Sequence, residues 1–177
     1  MLSDLTAEQV RALFSYDKEE GALRWKNAAG RNGRYPAGSK AGSRNAEGYF
    51  QVVIAKKSYR VCRVIWLYVT GEWPKNQIDH KDNNPSNDKW ENLREATQAQ
   101  NKANCRKYKR DKASCHLKGV QAVQKRHSTR YRAVVTKDGV RRHLGNFGTP
   151  EEAHAAYLKA SAELHGAFSN SGNVTHG

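Results

Sequence analysis

Asp79 and His80 stand side by side in the stretch Ile78-Asp79-His80-Lys81-Asp82-Asn83-Asn84, with Asn92-Leu93-Arg94 and then Asn101 downstream. An acid, a histidine and carboxamides in one short window suit phosphodiester hydrolysis. That reaction needs a base to deprotonate water and a hard cation to neutralise charge developing on the phosphate and the leaving oxygen. His80 is the candidate base, because imidazole titrates near neutral pH. Asp79 and Asn101 offer oxygen atoms, the ligand type preferred by Mg²⁺, with Mn²⁺ as the alternative cation. Two protein ligands leave most of the coordination shell to water and substrate phosphate. Neighbours on a strand point to opposite faces, so a loop or distortion is expected to make Asp79 and His80 converge. The turn formers Asp82-Asn83-Asn84-Pro85-Ser86-Asn87-Asp88 supply such a loop.

The elements that position these residues announce themselves through one repeated signal, a Thr followed three residues later by Gln or Glu. This capping box satisfies orphan amides in the first turn of a helix. Thr97/Gln100 starts the helix that matters most, placing Asn101 just beyond its first turn, while Leu93 leaves from the strand before it. The resulting order is strand, loop, strand, helix, with His80 before the loop and a metal ligand on the helix. Thr6/Gln9 starts another helix, in which Leu5 and Val10 are placed as a hydrophobic staple and Val10, Leu13 and Phe14 form a short apolar face. Thr149/Glu152 starts a third. Residues 30–44, rich in glycine, serine and cations (Arg31, Arg34, Lys40, Arg44), read as an exposed loop or hairpin able to track a phosphate backbone.

The 177 residues carry 31 Lys+Arg against 17 Asp+Glu, a formal charge of +14. Such an excess favours phosphate binding and steered encounter with nucleic acid. It is uneven: residues 102–142 hold many cations and only Asp111 and Asp138 as acids, whereas Asp4, Glu8, Asp17, Glu19 and Glu20 crowd the first twenty positions. No apolar run approaches the roughly 18 residues that cross a bilayer, and Met1-Leu2-Ser3-Asp4 does not open a signal peptide, so a soluble, intracellular protein is expected. Cys62, Cys105 and Cys115 form no CxxC pair, so neither a disulfide framework nor structural zinc is expected, a Cys105-Cys115-His116 site included.

Residues 61–104, with Asp79-His80, Asn92-Leu93-Arg94 and Asn101, resemble the ββα-metal HNH endonucleases, particularly the phage and intron-encoded homing type. Position by position, the resemblance implies His80 as general base, Asp79 and Asn101 as divalent-metal ligands, and Asn92 as the central asparagine of the catalytic set, bracing the loop that carries His80. Gly48-Tyr49-Phe50-Gln51-Val52-Val53 with Tyr59-Arg60-Val61 is similar to the hairpin that precedes the motif in that family. The chain departs from the family at Cys62, where a histidine is common. The resemblance places the protein in the cytoplasm or nucleoid of a bacterial host.

A second module follows a polar, cationic stretch that includes Lys107 and Arg110. Gly119-Val120-Gln121-Ala122-Val123, Arg130-Tyr131-Arg132-Ala133-Val134-Val135 and Val140-Arg141-Arg142-His143-Leu144-Gly145 read as three strands, with Lys137-Asp138-Gly139 as the last hairpin turn. A helix capped at Thr149-Pro150-Glu151-Glu152 then carries Ala153, Ala156, Tyr157, Ala160 and Leu164 at helical spacing, and Gly166 ends it. Strand alternation puts Arg130 and Arg132 on the face opposite Tyr131, Ala133 and Val135. Lys118-Gly119-Val120, Tyr131-Arg132-Ala133, Leu144-Gly145-Asn146-Phe147 and Ala155-Ala156-Tyr157 resemble the AP2 DNA-binding domain. That resemblance implies a three-stranded sheet set in the DNA major groove, with Lys118, Gln121, Arg141 and His143 facing the groove.

The sequence thus predicts an α+β protein: a ββα-metal HNH nuclease module followed by a small three-stranded antiparallel sheet plus helix. Its expected divisions are an N-terminal helix and basic loop or hairpin (1–44), the nuclease module (45–104), a basic linker (105–117), the AP2-like domain (118–170) and a tail (171–177). The expected function is metal-dependent cleavage of double-stranded DNA, by a monomer or a dimer, with Lys107 and Arg110 of the linker adding DNA contacts. A DNA-binding regulator on an inactive nuclease scaffold, and a structure-specific or RNA-directed nuclease, are the rival readings.

Overall fold

A computed structural model describes residues 5–105, 117–125 and 128–170. Lys107, Arg110, Cys115, His116 and the expected tail lie outside the described residues. The chain divides into two compact units, Met1–Ala96 and Thr97–Gly177.

In the first unit, α1 (Ala7–Leu13) begins at the expected capping box, with Thr6 and Gln9 each bonding the other's backbone. It ends sooner than its apolar face suggests. Phe14 is extended, at φ −127° and ψ 153°, and opens β1 (Phe14–Asp17), which pairs with β2 (Ala22–Trp25). A three-stranded sheet follows: β3 (Ser43–Arg44), β4 (Phe50–Ile54) and β5 (Lys57–Arg60), with β4 central. This includes the expected hairpin, except that Val61 starts a helix, α2 (Val61–Thr70), instead of prolonging the strand.

Val61-Cys62-Arg63-Val64-Ile65-Trp66-Leu67 is rich in β-branched residues, which favour strands on propensity alone. Burial overrides that preference: Val61, Cys62, Val64, Ile65 and Leu67 are all buried, and Gly71 closes the helix in the left-handed region at φ 87°. These side chains share one core with Val10, Phe14, Leu23, Trp25, Val52, Ile54, Ile78 and Leu93. The last two belong to an antiparallel ribbon, β6 (Gln77–His80) with β7 (Leu93–Ala96), in the register Asp79 opposite Arg94 and His80 opposite Leu93. Residues 30–44 are largely exposed, as expected, and Arg31, Arg34, Lys40 and Arg44 all face solvent.

The second unit opens with α3 (Gln98–Asn104), again with a full capping box at Thr97 and Gln100. Its antiparallel sheet has the order β10-β9-β8, formed by β8 (Val120–Lys125), β9 (Ser128–Lys137) and β10 (Val140–Phe147). The β9–β10 turn is the expected one, with Asp138 and Gly139 both at positive φ (51° and 79°). A bulge between His143 and Gly145 shifts the register. Helix α4 (Pro150–His165) starts at the Thr149/Glu152 box, ends at Gly166, and packs on the sheet through Ala153, Ala156 and Tyr157, against Val120, Tyr131 and Ala133.

Gly119 fixes how closely helix and sheet approach. It lies at φ +75°, and a Cβ there would meet the Tyr157 ring at 2.0 Å. Gly119→Ala is therefore expected to lower stability by roughly 3 kcal/mol through backbone strain and overpacking. Urea unfolding of Gly119→Ala, Tyr157→Ala and the double variant checks the contact: the two losses should be clearly non-additive, because removing the ring removes the clash.

Candidate active site

The β6–β7 ribbon carries the candidate chemistry at the end joined by its connecting loop. Asp79 and His80 are consecutive in β6, only 4% and 5% exposed, and the strand runs regularly through both. The expected distortion does not occur before His80; the chain turns only from Lys81 onward. Asp79 Oδ2 accepts a hydrogen bond from Arg94 Nε at 2.8 Å, the cross-strand partner demanded by the register. His80 Nε2 lies 2.8 Å from Asp88 Oδ1, and the Tyr49 ring is tilted against the imidazole at 5.8 Å.

Asn92 ties the loop between the two strands. Its Oδ1 accepts from the Asp82 backbone N–H at 3.1 Å, while its Nδ2 donates to Asp82 Oδ1 at 3.0 Å and to the Asn87 carbonyl at 2.7 Å. Its own carbonyl accepts from the Lys81 N–H at 2.9 Å. The Asp82 carboxylate also receives the Asn84 N–H and the Asn87 amide. Burial pushes the Asp82 carboxyl up, but these hydrogen bonds from Asn84, Asn87 and Asn92 outweigh it and hold it below the usual range. Ser86 Oγ donates to the Gly48 carbonyl at 2.9 Å, fastening the loop to the turn before β4.

Asn101 stands on α3, in the second unit, half-buried. The oxygen donors of Asp79 and Asn101 are the chemical type a hard cation takes. Among the described residues, Cys62, His80 and Asp88 bring their ligand atoms within 4.8 Å of one another. Their donors suit a softer metal than Mg²⁺. Burial, reinforced by the Asp88 charge, pushes the Cys62 thiol up to about 12, so sulfur stays protonated there.

Asp88 is the residue that sequence reasoning missed. It stands among the turn formers of its loop, and an Asp eight residues after a His carries no signal that separates partner from turn. The structure buries it at 2% exposure against the imidazole.

In the second unit, Gln121, Arg130, Arg132, Arg141 and His143 are all exposed. Register puts Gln121 beside Arg132, and His143 beside Val134, on the sheet face opposite α4. Arg132, Val134, Arg141 and His143 line an open hollow of about 400 Å³ on this face. Lys118 is placed elsewhere: its Nζ donates to the Ala103 carbonyl at 2.6 Å, in a cavity lined by Tyr157, Leu164 and His165. Burial pushes its ammonium down to about 8.

Residues 59–103 match the HNH endonuclease family model, a span that includes Asp79, His80, Asp88, Asn92 and Asn101. Those residues are thus similar to an HNH endonuclease domain. It is 33% identical over 103 residues to an uncharacterized HNH endonuclease of Acanthamoeba polyphaga mimivirus, over 58% of this chain and 50% of that protein. The chain therefore spans about half the length of that relative. No solved structure matches. Among the described residues, no helix is long and apolar enough to cross a membrane.

The Asn92 network yields a local test. Asn92→Ala is expected to destabilise the protein by roughly 1–3 kcal/mol, because it removes three hydrogen bonds that tie the partly buried loop. Hydrogen exchange monitors the site: the Asp82 amide, bound to the lost side chain, should lose protection, while the Lys81 amide, bound to the backbone carbonyl of residue 92, should keep most of its own.

Proposed function

We propose that this protein is a metal-dependent endonuclease of double-stranded DNA, of the homing type, with catalysis in the HNH module and duplex recognition by the AP2-like sheet of the second unit. The observation that carries the reading is the buried His80 at the end of β6, beside Asp79, within the span that matches the HNH endonuclease family.

His80 acts as the general base, taking a proton from a water molecule that attacks the scissile phosphate in line. Asp79 and Asn101 would supply oxygen ligands to a divalent cation, Mg²⁺ first and Mn²⁺ as the alternative, which would neutralise charge on the phosphate and leaving oxygen. Arg94, bonded to Asp79 Oδ2, orients that carboxylate. Asn92 holds the loop closed beside the base. Protonated His80 then returns its proton to solvent.

The duplex rests on the exposed face of β8–β10. Arg130 and Arg132 contact phosphates, and Gln121, Arg141 and His143 reach base edges. Lys107 and Arg110 add backbone contacts. Lys118, engaged with the Ala103 carbonyl, has a role inside the second unit rather than in the groove.

His80→Ala should slow single-turnover cleavage by about 10²–10⁴-fold and leave duplex affinity nearly unchanged. Incubating wild type and variant with plasmid, single strands and RNA, with and without Mg²⁺, measures activity, substrate class and metal need together; wild-type rates in the variant would remove His80 from the role of base. Arg141→Ala should reduce discrimination between specific and random duplexes by about 1–3 kcal/mol if the guanidinium reads a base. A uniform loss across sequences, with a salt slope shallower by about one, would assign it to phosphate instead. Binding curves at several salt concentrations separate these two outcomes.

A further inference from the structure

Asp88 is an acid, yet it is almost wholly buried. Burying a carboxylate costs several kcal/mol unless donors meet it. One donor is His80 Nε2, at 2.8 Å, with side-chain exposures of 4% for His80 and 3% for Asp88. A carboxylate oxygen accepts hydrogen bonds, so this contact points to Nε2 as the nitrogen that carries the proton. A neutral imidazole has one N–H and one lone pair, and the lone pair is thereby left on Nδ1.

The surroundings hold Asp88 in place from the opposite side. Tyr16, on β1, donates its hydroxyl to the Asp88 carbonyl at 3.1 Å. Gly21, in the β1–β2 turn at φ +64°, lets the 88–89 backbone approach so closely that a Cβ on residue 21 would lie 2.4 Å from Lys89 N. The imidazole is thus confined between a carboxylate fixed by the N-terminal hairpin and the Tyr49 ring.

We propose that Asp88 is the positioning residue of the base: by accepting the Nε2 proton it locks His80 in the tautomer and orientation that present the Nδ1 lone pair to the attacking water. This rests on the nuclease reading of His80. The proton abstracted from water ends on Nδ1, giving an imidazolium beside the Asp88 carboxylate, and the Nε2 proton stays on the ring. The β1–β2 hairpin, remote in sequence from the motif, then belongs to the catalytic apparatus through its hold on the Asp88 backbone.

The test uses the full chain, with ¹⁵N-labelled histidine and the His80 signals assigned by their loss in His80→Ala. The wild-type spectrum should show the Nε2–H tautomer; an Nδ1–H tautomer in wild type overturns the proposal outright. Asp88→Ala should give a mixed tautomer and a single-turnover rate lower by about 10²–10⁴-fold, with duplex affinity within twofold. Unchanged tautomer and rate in Asp88→Ala also overturn it.

Asp88→Asn keeps the volume and remains informative should the alanine variant fail to fold. Its amide presents either oxygen or nitrogen to the ring, so its rate must follow its spectrum: activity kept with Nε2–H, lost with Nδ1–H. A rate that does not track the tautomer refutes the positioning role. The spectrum reads the hydrogen bond without any cleavage, so a wild-type protein that cuts nothing would remove the nuclease reading while leaving the tautomer result intact.

Discussion

A ribbon of two four-residue strands does not hold itself together in water, and β6–β7 is such a ribbon. Everything at the candidate centre depends on what keeps it paired. Ile78 and Leu93 anchor it in the core built by α1, α2 and the first two hairpins. Asn92 closes its loop with bonds to Asp82 and Asn87, and Ser86 fastens that loop to Gly48. The ribbon is therefore a local feature with non-local support, and residues far from the motif set its geometry. This explains why a chain with modest apolar content spends so much of its core beneath one short motif.

Two largely buried polar contacts flank the end of the ribbon, Arg94 with Asp79 and His80 with Asp88. Pairs of this kind add little net stability, because desolvation offsets most of the Coulomb gain. What they supply is fixed orientation. A carboxylate oxygen engaged by Arg94 and an imidazole nitrogen engaged by Asp88 are each held in one orientation. Such constraint suits a centre whose own groups are few and whose substrate brings many oxygen atoms.

The excess of cations is distributed by a different logic. Arg31, Arg34, Lys40 and Arg44 in the first unit, and Arg130, Arg132, Arg141 and Arg142 in the second, stay exposed. Lys118 departs from this pattern because one hydrogen bond to the Ala103 carbonyl ties it to α3. A cation count alone does not distinguish these cases: an ammonium on a four-carbon stem reaches solvent or a nearby carbonyl according to what packs beside it.

The sequence by itself determined whatever depends on neighbouring residues. The capping boxes at Thr6, Thr97 and Thr149, the Asp138-Gly139 turn, the stop at Gly166 and the alternation along β9 are all local chemistry, and each stands where its residues require. The motif from Asp79 to Asn101 was legible for the same reason, as spacing along one stretch of chain. Only the tertiary structure decided the rest. Packing turned the β-branched run from Val61 into a helix, since burial of Val64, Ile65 and Leu67 outweighs strand propensity. Packing also chose Asp88 from a loop of similar turn formers and set it against His80, and it drew Lys118 away from the sheet face. Those outcomes depend on Tyr16, Gly21 and Ala103, residues 72, 67 and 15 positions away from the groups they constrain. Contacts of that range are fixed by how the elements pack, not by the sequence around any one of them.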